Sequence, residues 1–138
     1  MKKCILLVCL TIISFSCKQE YVVRSFESVS IQKFDMDSTS IRAIIAVNAD
    51  ELLFAGSRGD IGLTDDGGKT WDIEYLKYQN SIVPHFRSLA KTTSAVFALS
   101  VANPALLYKI SDGEKTVVYK EEHEKVFYDA MTFLDDKT

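Results

Sequence analysis

The sequence predicts an all-β chain built from repeated four-stranded units, and three observations carry that expectation. The octet Thr64-Asp65-Asp66-Gly67-Gly68-Lys69-Thr70-Trp71 sits between two short apolar runs and reads as a hairpin turn that closes on a tryptophan. A weaker copy, Ser111-Asp112-Gly113-Glu114-Lys115-Thr116-Val117, follows after about 45 residues, the length expected of one four-stranded repeat. The segments ahead of the two turns also correspond: Ser40–Val47 matches His85–Ala90, and Glu51–Ser57 matches Ala95–Val101. Each unit then has an inner strand led by an arginine, a polar turn, a second strand, a third strand into the glycine turn and a fourth strand out.

Taken in order, the chain begins with a leader. Lys2 and Lys3 precede the apolar run Ile5–Ile13, which is too short to span a bilayer and suits a secretory signal peptide. The run ends at Ser14-Phe15-Ser16-Cys17, followed by the polar Lys18-Gln19-Glu20. A small residue directly before a cysteine at the end of an apolar run resembles the bacterial lipobox, although Ser14 stands where leucine is usual. Residues 1–16 are therefore read as signal and Cys17 as the lipidation site, where acyl chains contribute about 0.8 kcal/mol per buried methylene. Residues 17–38 form the tether, with alternating apolar positions from Val22 to Phe34 that suggest an N-terminal strand. Residues 39–80 and 81–122 are the two repeats. Lys120–Lys125 is a mixed-charge solvated loop, and Val126–Leu134, within 123–138, looks like the inner strand of a third repeat. Arg58-Gly59-Asp60 reads as a turn between strands, since Gly-Asp is good turn chemistry.

The octet can be read residue by residue. Asp66 can fold its carboxylate onto nearby backbone N–H groups, Gly67 and Gly68 allow the positive φ of a tight turn, and Thr64 and Thr70 bring hydroxyls to the remaining turn groups. Trp71 opens the next strand with a large apolar surface. The pattern resembles the Asp-box, or BNR repeat, in which Asp66 is a turn lock rather than a ligand. In that resemblance Thr64, Asp66, Gly68, Thr70 and Trp71 are the structural box, and Asp112, Gly113 and Thr116 a degenerate one. Such repeats imply a partial β-propeller, about two four-stranded blades and the start of a third. Propellers close with about four to eight blades, so the chain is expected to be an N-terminal fragment of a six- or seven-bladed ring, or to complete a ring by self-association.

The lipoprotein start, the arginine-led inner strands, the box and Phe127-Tyr128-Asp129-Ala130-Met131 together resemble the photosystem II assembly and stability factor-like group of BNR propellers. That resemblance covers residues 40–138. It implies a scaffold that binds partner proteins, with arginine patches implicated. Arg42 and Arg87 recur at equivalent places, as an inner-channel binding pair or as blade-to-blade salt bridges.

Composition excludes several other classes. Net charge is −3 with 25% charged residues and no basic stripe, which gives nucleic acid no footprint. Cys4 and Cys9 fall in the leader and Cys17 at the anchor, so the mature domain has no thiol for a disulfide or metal. The two histidines, His85 and His123, lie far apart, and no metal site is expected. No Gly-x-Gly-x-x-Gly follows a strand, so the oxidoreductase label that some relatives carry finds no cofactor motif here. A sialidase-like hydrolase would need a Phe-Arg-Ile-Pro motif, and His85-Phe86-Arg87-Ser88 is the nearest approach. The sequence thus favours a lipid-anchored envelope scaffold of the outer membrane, facing the periplasm or the cell surface, that meets the membrane through Cys17 and binds envelope proteins or glycans. A glycoside hydrolase with catalytic residues elsewhere is the alternative.

Overall fold

The structure, a computed structural model, describes residues 25, 27–31, 33 and 39–136. The chain divides into two compact units, Met1–Phe34 and Asp35–Thr138. In the first, none of the described residues forms a strand, and Val29 and Ile31 are exposed. The strand expected over 22–34 is thus absent where the chain is described: alternation supplies a face, but only a hydrogen-bonded neighbour makes a strand. The leader and Cys17 lie outside the described residues.

The second unit is all-β, with no helix among the described residues. Its strands are β1 (Ile41–Ala46), β2 (Leu52–Gly56), β3 (Asp60–Thr64), β4 (Asp72–Tyr75), β5 (Phe86–Lys91), β6 (Val96–Ser100), β7 (Ala105–Ser111) and β8 (Glu114–Glu121). They form two four-stranded antiparallel sheets, each ordered as the chain runs, β1-β2-β3-β4 and β5-β6-β7-β8. Strand β8 takes in Lys120 and Glu121, so the solvated loop is shorter than the sequence suggests.

The two sheets share a register. Ala43, Ile44, Ile45 and Ala46 face Ala55, Phe54, Leu53 and Leu52, while Ser88, Leu89, Ala90 and Lys91 face Leu99, Ala98, Phe97 and Val96. Even the irregularity recurs: the ladder skips one residue between Ile41 and Ala43, and again between Phe86 and Ser88. The bulged residues are Arg42 and Arg87.

The core forms where the sheets face one another. Leu53, Ala55 and Ile61 of the first sheet meet Phe86, Val96, Ala98, Leu106 and Tyr108 of the second, with Ile45, Leu89 and Ile110 packed at the margin. Full burial of a large apolar side chain contributes about 1.5–3 kcal/mol, so this seam holds the sheets together. The packing is head-to-tail. Leu53 points into the seam, but its register equivalent Phe97 points away, onto Phe133 with ring centroids 4.8 Å apart. Conversely Ala98 lies in the seam, while its equivalent Phe54 lies on the far face against Trp71 at 5.0 Å. One face of each sheet therefore presses on the opposite face of the next.

The segment after β8 continues that progression without becoming a strand. It makes one bridge, Ala102 with Phe127, and then runs alongside β5. Its contacts there are Arg87 Nε to Asp129 Oδ1 at 3.3 Å, the Met131 N–H on Ser88 Oγ at 3.1 Å, and Asp136 accepting from the Thr93 N–H and hydroxyl at 2.9 Å each. The sequence expects a strand over Val126–Leu134. The chain there packs through side chains, as β5 does on β1, and lacks the hydrogen-bonded ladder that defines a strand.

Candidate functional site

Three places concentrate chemistry. The first is the turn Asp65–Trp71, where Asp66 is fully engaged. Its Oδ1 accepts from the Thr64 hydroxyl at 2.8 Å, the Lys69 N–H at 2.8 Å and the Thr70 N–H at 2.9 Å. Its Oδ2 accepts from the Thr70 hydroxyl at 2.7 Å. These bonds, led by the Thr70 N–H and hydroxyl, hold its carboxyl far below the ordinary aspartate range, because each favours the charged form. Thr64 Oγ1 also accepts from the Gly68 N–H at 3.0 Å, and the Gly67 N–H reaches Asp50 O at 2.8 Å, tying this turn to the β1–β2 turn. Gly68, at φ 88°, lets the chain double back so that Trp71 Nε1 donates to its carbonyl at 3.2 Å. A carboxylate with this many internal donors has little capacity left for a ligand.

The second turn is built differently. Asp112 and Gly113 have φ of 52° and 79° between the paired Ser111 and Glu114, the two-residue arrangement of a type I′ hairpin. Asp112 is exposed and makes none of the bonds that Asp66 makes, and Thr116 lies within β8 opposite Lys109.

The second place is a recess of about 90 Å³ at the leading ends of β1 and β5, lined by Arg42, Ser57, His85, Phe86, Arg87 and Val101. The shared bulge explains the convergence, since an extra residue turns a side chain out of the regular alternation. Both predicted arginines therefore line one recess. Arg87 is also the inter-repeat ion pair to Asp129, with side chains 37% and 69% exposed, whereas Arg42 is exposed and has no ion-pair partner among the described residues. Sequence reasoning missed His85, Ser57 and Val101 as its walls. The alignment of His85 with Ser40 was the available signal.

The third place is a cleft of about 400 Å³ between the other ends of the two sheets. Leu53, Ile61, Leu63, Val96 and Ile110 form its apolar floor. Lys115 closes the outer side on Glu74 Oε1 at 2.6 Å, and Lys91 Nζ closes the inner side on the carbonyls of Ala46 and Val47 at 3.0 Å each. Nothing in the sequence pointed to this cleft, because its walls come from two separate sheets.

A buried carboxylate also escaped the sequence reading. Asp60 is fully buried, and its Oδ2 accepts from the Arg58 N–H at 3.3 Å inside the Arg58-Gly59-Asp60 turn. It fills the space beside Gly56, where a Cβ would collide with it. At the equivalent place in the second sheet, Ser100 Oγ accepts from the Leu106 N–H at 2.8 Å. Among the described residues, no group of histidine, cysteine and acidic side chains has a geometry that could hold a metal.

No protein-family model and no curated protein matches this chain.

Proposed function

We propose that the protein is a lipid-anchored β-propeller segment of the bacterial envelope that serves as a binding scaffold. On this reading its two sheets are blades, the Thr64–Trp71 turn is an Asp-box, and partners carrying carboxylates engage the recess at Arg42 and Arg87. The blade reading draws support from the head-to-tail face order and the recurrent register of the two sheets. The scaffold reading rests on one observation above the rest: the same bulge, repeated, places two arginines around one recess. The Arg87–Asp129 pair is an internal example of the carboxylate recognition that Arg42 would offer a partner. The envelope reading rests on Ser16-Cys17 after the apolar leader.

Two experiments test these parts separately. Titration with a glutamate-rich peptide at low salt should shift the side-chain Nε–H resonances of Arg42 and Arg87, and Arg42→Gln should abolish the response. A response that survives Arg42→Gln rejects the recess. Cys17→Ser should remove the acyl mass and release the mature protein from membranes, and an unchanged mass and partition would reject the anchor.

A further inference from the structure

We propose that the cleft between the two sheets is a binding site for a small organic cation, a protonated amine carried on an apolar ring or a short aliphatic body. The site is separate from the arginine recess and asks for the opposite charge. Its volume of about 400 Å³ falls within the range of small-molecule sites, about 300–1,000 Å³. Both of its walls belong to the described residues, so no further sheet is needed to complete it.

Register explains its shape. Directly opposed residues of an antiparallel pair share a face, so Lys91, Val96, Ile110 and Lys115 form one row across the second sheet. Ile45, Leu53, Leu63 and Asp72 form a row across the first. The lysines stand at the two ends of their row and reach across to the first sheet, one to the carbonyls of Ala46 and Val47, the other to Glu74. The shorter Val96 and Ile110 lie between these two bridges and line the cleft together with Leu53, Ile61 and Leu63. Leu53, Ile61 and Val96 are buried, whereas Leu63 is 45% exposed. The result is an aliphatic slot with an open apolar side chain at its mouth.

Charge decides what the slot takes. Its lining holds four acids, Glu51, Asp72, Glu74 and Asp112, and two bases, Lys91 and Lys115. Both bases are engaged. Lys115 Nζ lies 2.6 Å from Glu74 Oε1 and 3.3 Å from the Gly113 carbonyl, and Lys91 Nζ lies 3.0 Å from each of its two carbonyls. Glu74 is held by Lys115, and Glu51 accepts from the Asn48 amide. Asp72 and Asp112 have no ion-pair partner among the described residues. They stand one on each wall: Asp72 pairs across from Leu63 on β4, and Asp112 lies in the β7–β8 turn just beyond Ile110. An incoming anion would meet two unpaired carboxylates. An ammonium would find in them charge-assisted hydrogen-bond partners, with its apolar body resting on Leu63 and Ile110.

The test is a methyl NMR titration of the full chain with phenethylamine and, at equal concentration, with 3-phenylpropionate, its counterpart of opposite charge. The amine should give saturable shifts of the Leu63, Val96 and Ile110 methyls, and the carboxylate none. Asp72→Asn and Asp112→Asn should each weaken the amine about two- to fivefold, as loss of an exposed ion pair does, and together about tenfold. Both positions are exposed, so the variants keep the fold, and the methyls outside the cleft report on it. The proposal is overturned by the absence of saturable shifts, by shifts centred outside the cleft, by a response to the carboxylate as strong as that to the amine, or by an affinity unchanged in the double variant.

Discussion

The turn after β3 takes Asp65–Trp71, whereas the turn after β7 takes only Asp112 and Gly113, although the two hairpins start from equivalent register. In the second sheet the β7–β8 ladder runs on through Ile110 and Ser111 and closes tightly. In the first it stops at Leu63 opposite Asp72, and the carboxylate of Asp66 replaces the missing ladder bonds. The gain is in where Trp71 goes. It folds back onto Phe54, which points to the side of the first sheet that lies away from the seam. Ala98, the equivalent of Phe54, is already covered by the first sheet. The longer turn thus supplies a lid to the face that no other sheet among the described residues covers, and the short turn occurs where the first sheet already lies.

The largest test of this comparison is Phe54→Ala. Phe54 is fully buried between Trp71 and Gly62, so its loss should cost about 3–5 kcal/mol in urea unfolding. A cost near that of a surface substitution would mean that Trp71 covers nothing of consequence. Next comes the exchange of large and small residues between the equivalent pairs Phe54–Gly62 and Ala98–Tyr108. Gly62→Ala should cost about 1–3 kcal/mol through collision with Phe54. Combining Gly62→Tyr with Phe54→Ala copies the second sheet's pair into the first. A double-mutant cycle should then return a favourable coupling of about 1–3 kcal/mol, and additive costs would break the equivalence of the two pairs.

The two aspartates should then separate the two turns. Asp66→Ala is expected to lower the melting temperature and to expose the Lys69 and Thr70 amides to rapid hydrogen exchange. Asp112→Ala removes no such bonds, so it should leave the hydrogen exchange of the neighbouring amides unchanged and cost only about 1 kcal/mol, from placing alanine at the positive φ of the turn. Acid gives a milder version of the same contrast. The folded-state pKa of Asp66 is depressed, so its contribution is complete above the unfolded value of about 3.9 and fades as the pH falls below it. Amide protection at Lys69 and Thr70 should therefore persist at pH 4, and its loss there would contradict the hydrogen-bonded turn. The smallest effect belongs to Arg87→Gln, because exposed ion pairs are worth roughly 0–1 kcal/mol. It should leave the unfolding midpoint nearly unchanged while altering the resonances of Asp129.

Much of this was legible beforehand because it is local. The Asp66 turn, the strands on either side of it and the repeat of about 45 residues follow from side chains acting on backbone within a few residues. Val22–Phe34 and Val126–Leu134 show the limit of such reasoning: the first suggests a strand by its alternation and the second by its likeness to the earlier inner strands, and neither forms a ladder among the described residues. A pattern or a likeness is a property of one segment, whereas a strand needs two.

The same division separates the sites. The strand order, the turn chemistry at Asp66 and Gly68, and the equivalence of Arg42 with Arg87 could all be read from the residues, since each depends on near neighbours or on repetition. That both arginines line one recess, that Asp129 engages one of them, and that Asp60 is buried beside Gly56 are set by how the sheets and the following segment pack. The same packing decides which face of each sheet is covered. A strand's pattern offers two faces, and the choice between them is made by the sheet that comes to lie against one.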